Sequence, residues 1–73
     1  MKVRGVEISQ DILDKAAMWF PPDRSFDFNS LTSALIKLGV PWGDADRVAD
    51  RLLKQWRKQG THAYSGGKWK RVV

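Results

Sequence analysis

Residues 44–60, DADRVADRLLKQWRKQG, constrain the fold of this chain more than any other stretch. At about 100° per residue, Ala45, Val48, Ala49, Leu52, Leu53 and Trp56 fall on one stripe of a helix. Such a stripe has to be buried, so the segment predicts a helix packed into a core. The opposite side carries Arg47, Arg51, Lys54 and Lys58, spaced four, three and four residues apart. Like charges at those spacings face one another and cost a few tenths of a kcal/mol per pair. A lone helix gains by alternating its signs. An uninterrupted cationic row therefore points to an anionic partner.

The rest of the chain has to supply the other walls of that core. Seventy-three residues make one small domain, spanning 1–73, near the lower limit of what folds without covalent staples. With no cysteine there is no disulfide framework and no thiolate metal site, which fits a reducing compartment. Packing must then stabilise the fold, and four tryptophans and three phenylalanines offer large buried areas for it. No apolar run is long enough to span a bilayer and no signal-peptide pattern occurs, so the expectation is a soluble, cytoplasmic protein.

Charge is divided unevenly along the sequence. Residues 1–46 carry five Lys/Arg against seven Asp/Glu, a balance of −2, whereas residues 47–73 carry eight against one, a balance of +7. All of the basic excess therefore lies in the last third. That is the electrostatic footprint expected of a chain that meets nucleic acid or an anionic membrane surface. A solvated, solubilising face is the simpler alternative. Membrane-surface binding conflicts with the core's need for the apolar stripe, which cannot also enter lipid.

Residues 1–7 read as a flexible or edge-strand arm. Ser9 is a good N-cap for a first helix, with Ile8 and Leu13 placed as a hydrophobic staple and Asp11 and Asp14 near its start. Ile12, Leu13, Ala16, Ala17 and Phe20 form its apolar stripe, and Pro21-Pro22 stops it. Phe26-Asp27-Phe28 alternates as a very short strand does, and Asn29 or Ser30 can cap a second helix with apolar Leu31, Ala34, Leu35 and Leu38. Ile36 falls outside that stripe, as peripheral core or a small contact site. Gly39 suits a left-handed helix end, and Pro41 prevents the helix from resuming. The third helix starts near Asp44, its cap candidate, and stops at Gly60. Lys54, Arg57 and Lys58 favour its C-terminal dipole, so part of the basic charge has a structural cause. The remainder, THAYSGGKWKRVV, reads as a hairpin in which Tyr64, Trp69, Val72 and Val73 flank a Gly66-Gly67 turn. Trp42 is expected to pack beneath the second and third helices.

The order helix, short strand, helix, tight turn, helix, hairpin resembles a winged helix-turn-helix domain, an α+β fold. LIKLGVPWGDADRVADRLLKQWRKQG resembles the second helix, turn and recognition helix of that family, FDF its small first strand, and HAYSGGKWKRV its wing. The likeness covers residues 8–73, and the small size resembles phage or prophage regulators. It implies a DNA-binding transcriptional regulator that places helix 44–59 in the major groove of double-stranded DNA, with the 61–72 hairpin as wing. Arg47 and Arg51 are then candidates for bidentate contact to guanine, and Lys54 and Lys58 for phosphate. Lys68, Lys70 and Arg71 on or beside the wing are candidates for the minor groove or flanking backbone. Lys68 and Lys70 are expected to share one strand face, with Trp69 turned the other way into the core.

Asp44, Asp46 and Asp50 lie in the half of the third helix that usually meets base edges, where carboxylates repel phosphate. Asp50 can pair with Lys54, but Asp46 has no such partner. Those aspartates and the wealth of aromatics leave room for an alternative, a winged-helix protein-interaction module (an adaptor or inhibitor) without DNA contact. No enzyme is expected, since the lone His62 has no catalytic or metal-binding constellation around it and no phosphate-cradling glycine loop precedes a helix. No cofactor or metal is implied. No helix is left over for an obvious dimer interface, so a monomer or weak homodimer is expected.

Overall fold

A computed structural model describes residues 1–3 and 5–72; Arg4, within the expected arm, and Val73, in the expected hairpin, lie outside the described residues. The first helix, α1 (Gln10–Trp19), starts where Ser9 Oγ accepts the Ile12 amide at 3.3 Å. It buries Leu13 and Ala16, with Ile12 and Ala17 partly covered and Phe20 enclosed just past its end. The second, α2 (Phe28–Lys37), buries Leu31, Ala34 and Leu35. Its cap is neither Asn29 nor Ser30 but Asp27, whose Oδ1 accepts the Ser30 amide at 2.8 Å. Asp27 has the extended backbone that capping requires, and this draws Phe28 into the helix. The strand expected at Phe26-Asp27-Phe28 is consequently earlier and shorter, Ser25–Phe26.

Between α2 and the third helix, α3 (Ala45–Gln59), lies a tight turn fixed by Gly39 and Val40. Gly39 takes φ +111°, its amide bonds Ile36 O, and the Val40 amide bonds Leu35 O. Those two bonds satisfy carbonyls orphaned at the helix end, and Val40 drops into the core. The same bonding recurs after α3 at Gly60 and Thr61. Trp42 does not pack beneath the helices; it is 82% exposed. Its neighbours explain this: the Asp44 amide bonds Pro41 O at 2.9 Å, closing a turn that carries Trp42 outward on its crest. Asp44 precedes α3 but makes no side-chain cap, because its backbone is helical rather than extended.

The chain's end forms the hairpin of His62–Ser65 and Lys68–Arg71, joined through Gly66 and Gly67 at φ +58° and +79°. Two consecutive positive φ angles match the twist of a two-residue hairpin, a conformation open to glycine at no steric cost. Lys68–Arg71 also pairs antiparallel with Ser25–Phe26, so the three strands form one sheet with Lys68–Arg71 in the middle.

Lys2–Val3 and Val6–Glu7 pair antiparallel as a two-stranded ribbon of their own, numbered β1 and β2. The sheet strands are then β3 (Ser25–Phe26), β4 (His62–Ser65) and β5 (Lys68–Arg71). Val3 and Ile8 belong to the same core as Leu31, Leu35, Val48 and Leu52, which anchors the ribbon to the helices. The fold is thus α+β, with three helices, a two-stranded ribbon and a three-stranded sheet among the described residues. No helix there is long and apolar enough to cross a membrane.

Candidate functional site

The buried stripe of α3 orients everything on its outer side. Ala45, Val48, Ala49, Leu52, Leu53 and Trp56 are all enclosed, as their spacing predicts. Arg47, Arg51, Lys54 and Lys58 are all exposed. At 100° per residue they occupy an arc of about 60°, a single ridge along the helix. Two of the four have partners. Lys54 pairs with Asp50 at 3.0 Å, one turn earlier, and Arg51 donates from Nη1 to the Lys2 carbonyl at 3.0 Å. The Asp50–Lys54 pair is open to solvent, so it contributes little and yields readily to a competing anion. The Arg51 bond ties α3 to the N-terminal ribbon, a contact the sequence does not signal because two-residue strands carry no periodicity. Among the described residues no carboxylate lies within ion-pair distance of Arg47 or Lys58.

The sheet divides the remaining cations. Successive strand residues point to opposite faces. Lys68 and Lys70 therefore share the outer face with Ser65 and Ala63, their cross-strand partners, and all four are exposed. Trp69 is on the inner face, half-buried and packed on the core beside Phe26. Arg71 follows Trp69's side, opposite His62, and so does not join Lys68 and Lys70. The alternation of KWKR in the sequence already contains that separation. Arg57, which favours the C-terminal dipole of α3, is also exposed on the flank of that helix that faces the hairpin.

Comparison of the chain with family models, with curated proteins and with solved structures finds no match in any of the three. Its own geometry has to carry the functional reading.

His62 joins α3 to the hairpin. Its ring stacks on Trp56, with centroids 4.2 Å apart and planes 16° from parallel, and Phe26 meets it edge-on at 5.9 Å. Nδ1 lies 3.0 Å from the Thr61 hydroxyl, while Nε2 is buried without a partner. Burial, aided by the positive charge of Arg71, holds the imidazole pKa below its usual value. The folded state thus prefers neutral His62, and its contribution to stability is complete above about pH 6.5. It is lost as pH falls from there towards the depressed folded-state pKa. As the chain's only histidine, it is the one side chain that ordinarily titrates in this range. Thermal melts are expected to shift downward between pH 7.5 and 5.5 in the parent and to stay flat in His62→Phe. A parent with the same melting temperature throughout contradicts the assignment.

Asp27 titrates lower still, because its carboxylate accepts the Ser30 backbone amide and then the Ser30 hydroxyl. Its capping role is kept throughout the pH range of that measurement and does not confuse it. Among the described residues no three His, Cys, Asp or Glu converge as a metal site would require.

Proposed function

We propose that this protein is a winged helix-turn-helix DNA-binding protein, a cytoplasmic transcriptional regulator acting as a monomer or weak homodimer. Helix α3 enters the major groove and the β4–β5 hairpin serves as the wing. The observation that carries the reading is the solvent-facing ridge of Arg47, Arg51, Lys54 and Lys58 on a helix whose other side is wholly enclosed. An α-helix with its side chains, about 10–12 Å across, matches the roughly 12 Å width of the B-DNA major groove. The element order, and the union of β3 with the hairpin in one sheet, support the same reading.

Within it, Arg47 and Arg51 read bases, Lys54 and Lys58 meet phosphate, and Lys68 and Lys70 hold the flanking backbone. Arg71, on the inner side of the sheet, has at most a marginal contact. Arg47→Ala is expected to cost about 1–3 kcal/mol on a cognate site and to relax preference at one base position. Lys70→Ala is expected to weaken all sequences alike and to flatten the salt dependence by about one unit. Competition over a randomised duplex pool, with folding of both variants checked by circular dichroism, separates the two. Unchanged affinity and base preference in Arg47→Ala removes α3 as the reading element.

A second reading, a protein-interaction module without DNA contact, is favoured by Trp42 and Met18, which are 82% and 76% exposed. Asp46, exposed on α3 with no ion-pair partner among the described residues, suits it as well. Absence of duplex binding at low salt selects that alternative.

A further inference from the structure

Beside the cationic ridge, α3 and the hairpin meet at the Trp56–His62 stack and part beyond it. Between them runs an open groove of about 330 Å³, lined by Phe28, Asp50, Lys54, Arg57, Tyr64 and Trp69 among others. Three aromatic rings come from three different elements: Phe28 from the first turn of α2, Tyr64 from β4 and Trp69 from β5. Tyr64 is 53% exposed, directly across the strand pair from Trp69, with ring centroids 5.0 Å apart. Neither stacked nor perpendicular, the two planes are 53° apart, which leaves a face of the outer ring open. Phe28, though the first residue of a helix, is not enclosed by the core either. Tyr64 and Trp69 already touch one another, and with Phe28 they line one open space in which apolar ring area stays exposed to water.

The charges on the rim suit an anionic polymer. Lys54 and Arg57 stand one turn apart along the groove against one carboxylate, Asp50, so its rim keeps a positive excess. Aromatic faces beside cations are what unpaired nucleic acid requires: bases stack on the rings while the backbone follows the positive charge. A paired base within a duplex presents only its edge and cannot use such a platform.

We infer that this groove receives one or two unpaired bases of a strand that continues from the duplex held on α3, so that the preferred ligand is a duplex with a single-stranded tail. The inference rests on the proposed DNA-binding reading, and Lys54 marks where the two surfaces meet, belonging to both ridge and groove. Tyr64 is the main stacking residue, since it is exposed and carries none of the core.

The test compares one duplex in three forms, measured by fluorescence anisotropy: blunt, with a four-thymidine tail, and with an abasic tail of the same length. Tails are tried at both 5′ and 3′ ends. The abasic tail has the phosphates but no bases, so it isolates stacking from charge. The thymidine tail is expected to bind at least about fivefold tighter than the abasic one, given the stacking free energy per base. Tyr64→Ala is expected to abolish that difference and Tyr64→Phe, which keeps the ring, to retain it, with circular dichroism confirming that both fold. Equal affinity for thymidine and abasic tails, with blunt-duplex binding intact, overturns the groove's role and leaves the DNA-binding reading standing. Base-dependent binding of the tail without any duplex affinity supports the groove and rejects the duplex reading. Failure to bind all three at low salt overturns both.

Discussion

Leu52→Ala is expected to lose about 2–5 kcal/mol of stability, the range for emptying a large side chain from a closed core. Leu52 is 1% exposed and lies in the one cluster that unites all three helices with the N-terminal ribbon and β3. A cavity there cannot be filled cheaply, because Val48 on α3 and Leu31 and Leu35 on α2, members of the same cluster, are themselves fully enclosed. At about 0.05–0.15 kcal/mol per residue, a domain of this size has on the order of 4–11 kcal/mol in total. The substitution therefore removes a large share of it. Urea unfolding followed by tryptophan fluorescence is the measurement. Leu52→Met, close in volume, is expected to lose less than about 1.5 kcal/mol, and Lys58→Ala on the exposed ridge to stay within about 0.5 kcal/mol. A Leu52→Ala protein as stable as the parent contradicts the assignment of the buried face of α3.

That face was legible in the sequence because a helix repeats its burial every three to four residues, and fifteen residues of α3 give several repeats to read. Ser9, Gly39 and Gly60 were legible for a related reason: each answers a local demand of a helix end, which neighbours in sequence alone decide. The features that the sequence leaves open or misplaces share the opposite property. The β1–β2 ribbon has two residues per strand, too few for any period, and its place is set by Val3 and Ile8 reaching a core built elsewhere. At Phe26-Asp27-Phe28 two local patterns competed. Alternation favoured a strand, while an aspartate three residues before an unpaired amide favoured a cap, and the cap prevailed at 2.8 Å. Trp42 is expected beneath the helices, whereas the turn that carries it points it outward.

The candidate site divides along the same line. The ridge on α3 follows from spacing, and the sharing of one face by Lys68 and Lys70 follows from strand alternation. The groove could not be seen that way. Phe28, Lys54 and Tyr64 belong to three elements, and only the packing of α2 and the hairpin on α3 brings them together.

Affinity for duplex DNA is expected to fall steeply with salt, and this is the largest effect the proposed function carries. Each phosphate neutralised by Lys or Arg releases condensed counterions, so log affinity falls with log salt in proportion to the number of contacts. The ridge offers four cations and the outer face of the sheet two more, Lys68 and Lys70. Lys54 must first leave Asp50, and Arg51 already donates to Lys2 O, so four to six effective contacts are counted. The corresponding slope is roughly −4 to −5, or about a 250- to 1,000-fold loss of affinity between 50 and 200 mM salt. Anisotropy titrations of a random-sequence duplex across that range read the slope directly. Reversing two ridge charges, Arg47→Glu with Lys58→Glu, is expected to abolish binding at every salt concentration. Both positions are exposed, so the fold is retained. Tight binding that ignores salt rejects an electrostatic grip by this ridge. A double variant that still binds as the parent does places the contact elsewhere on the protein.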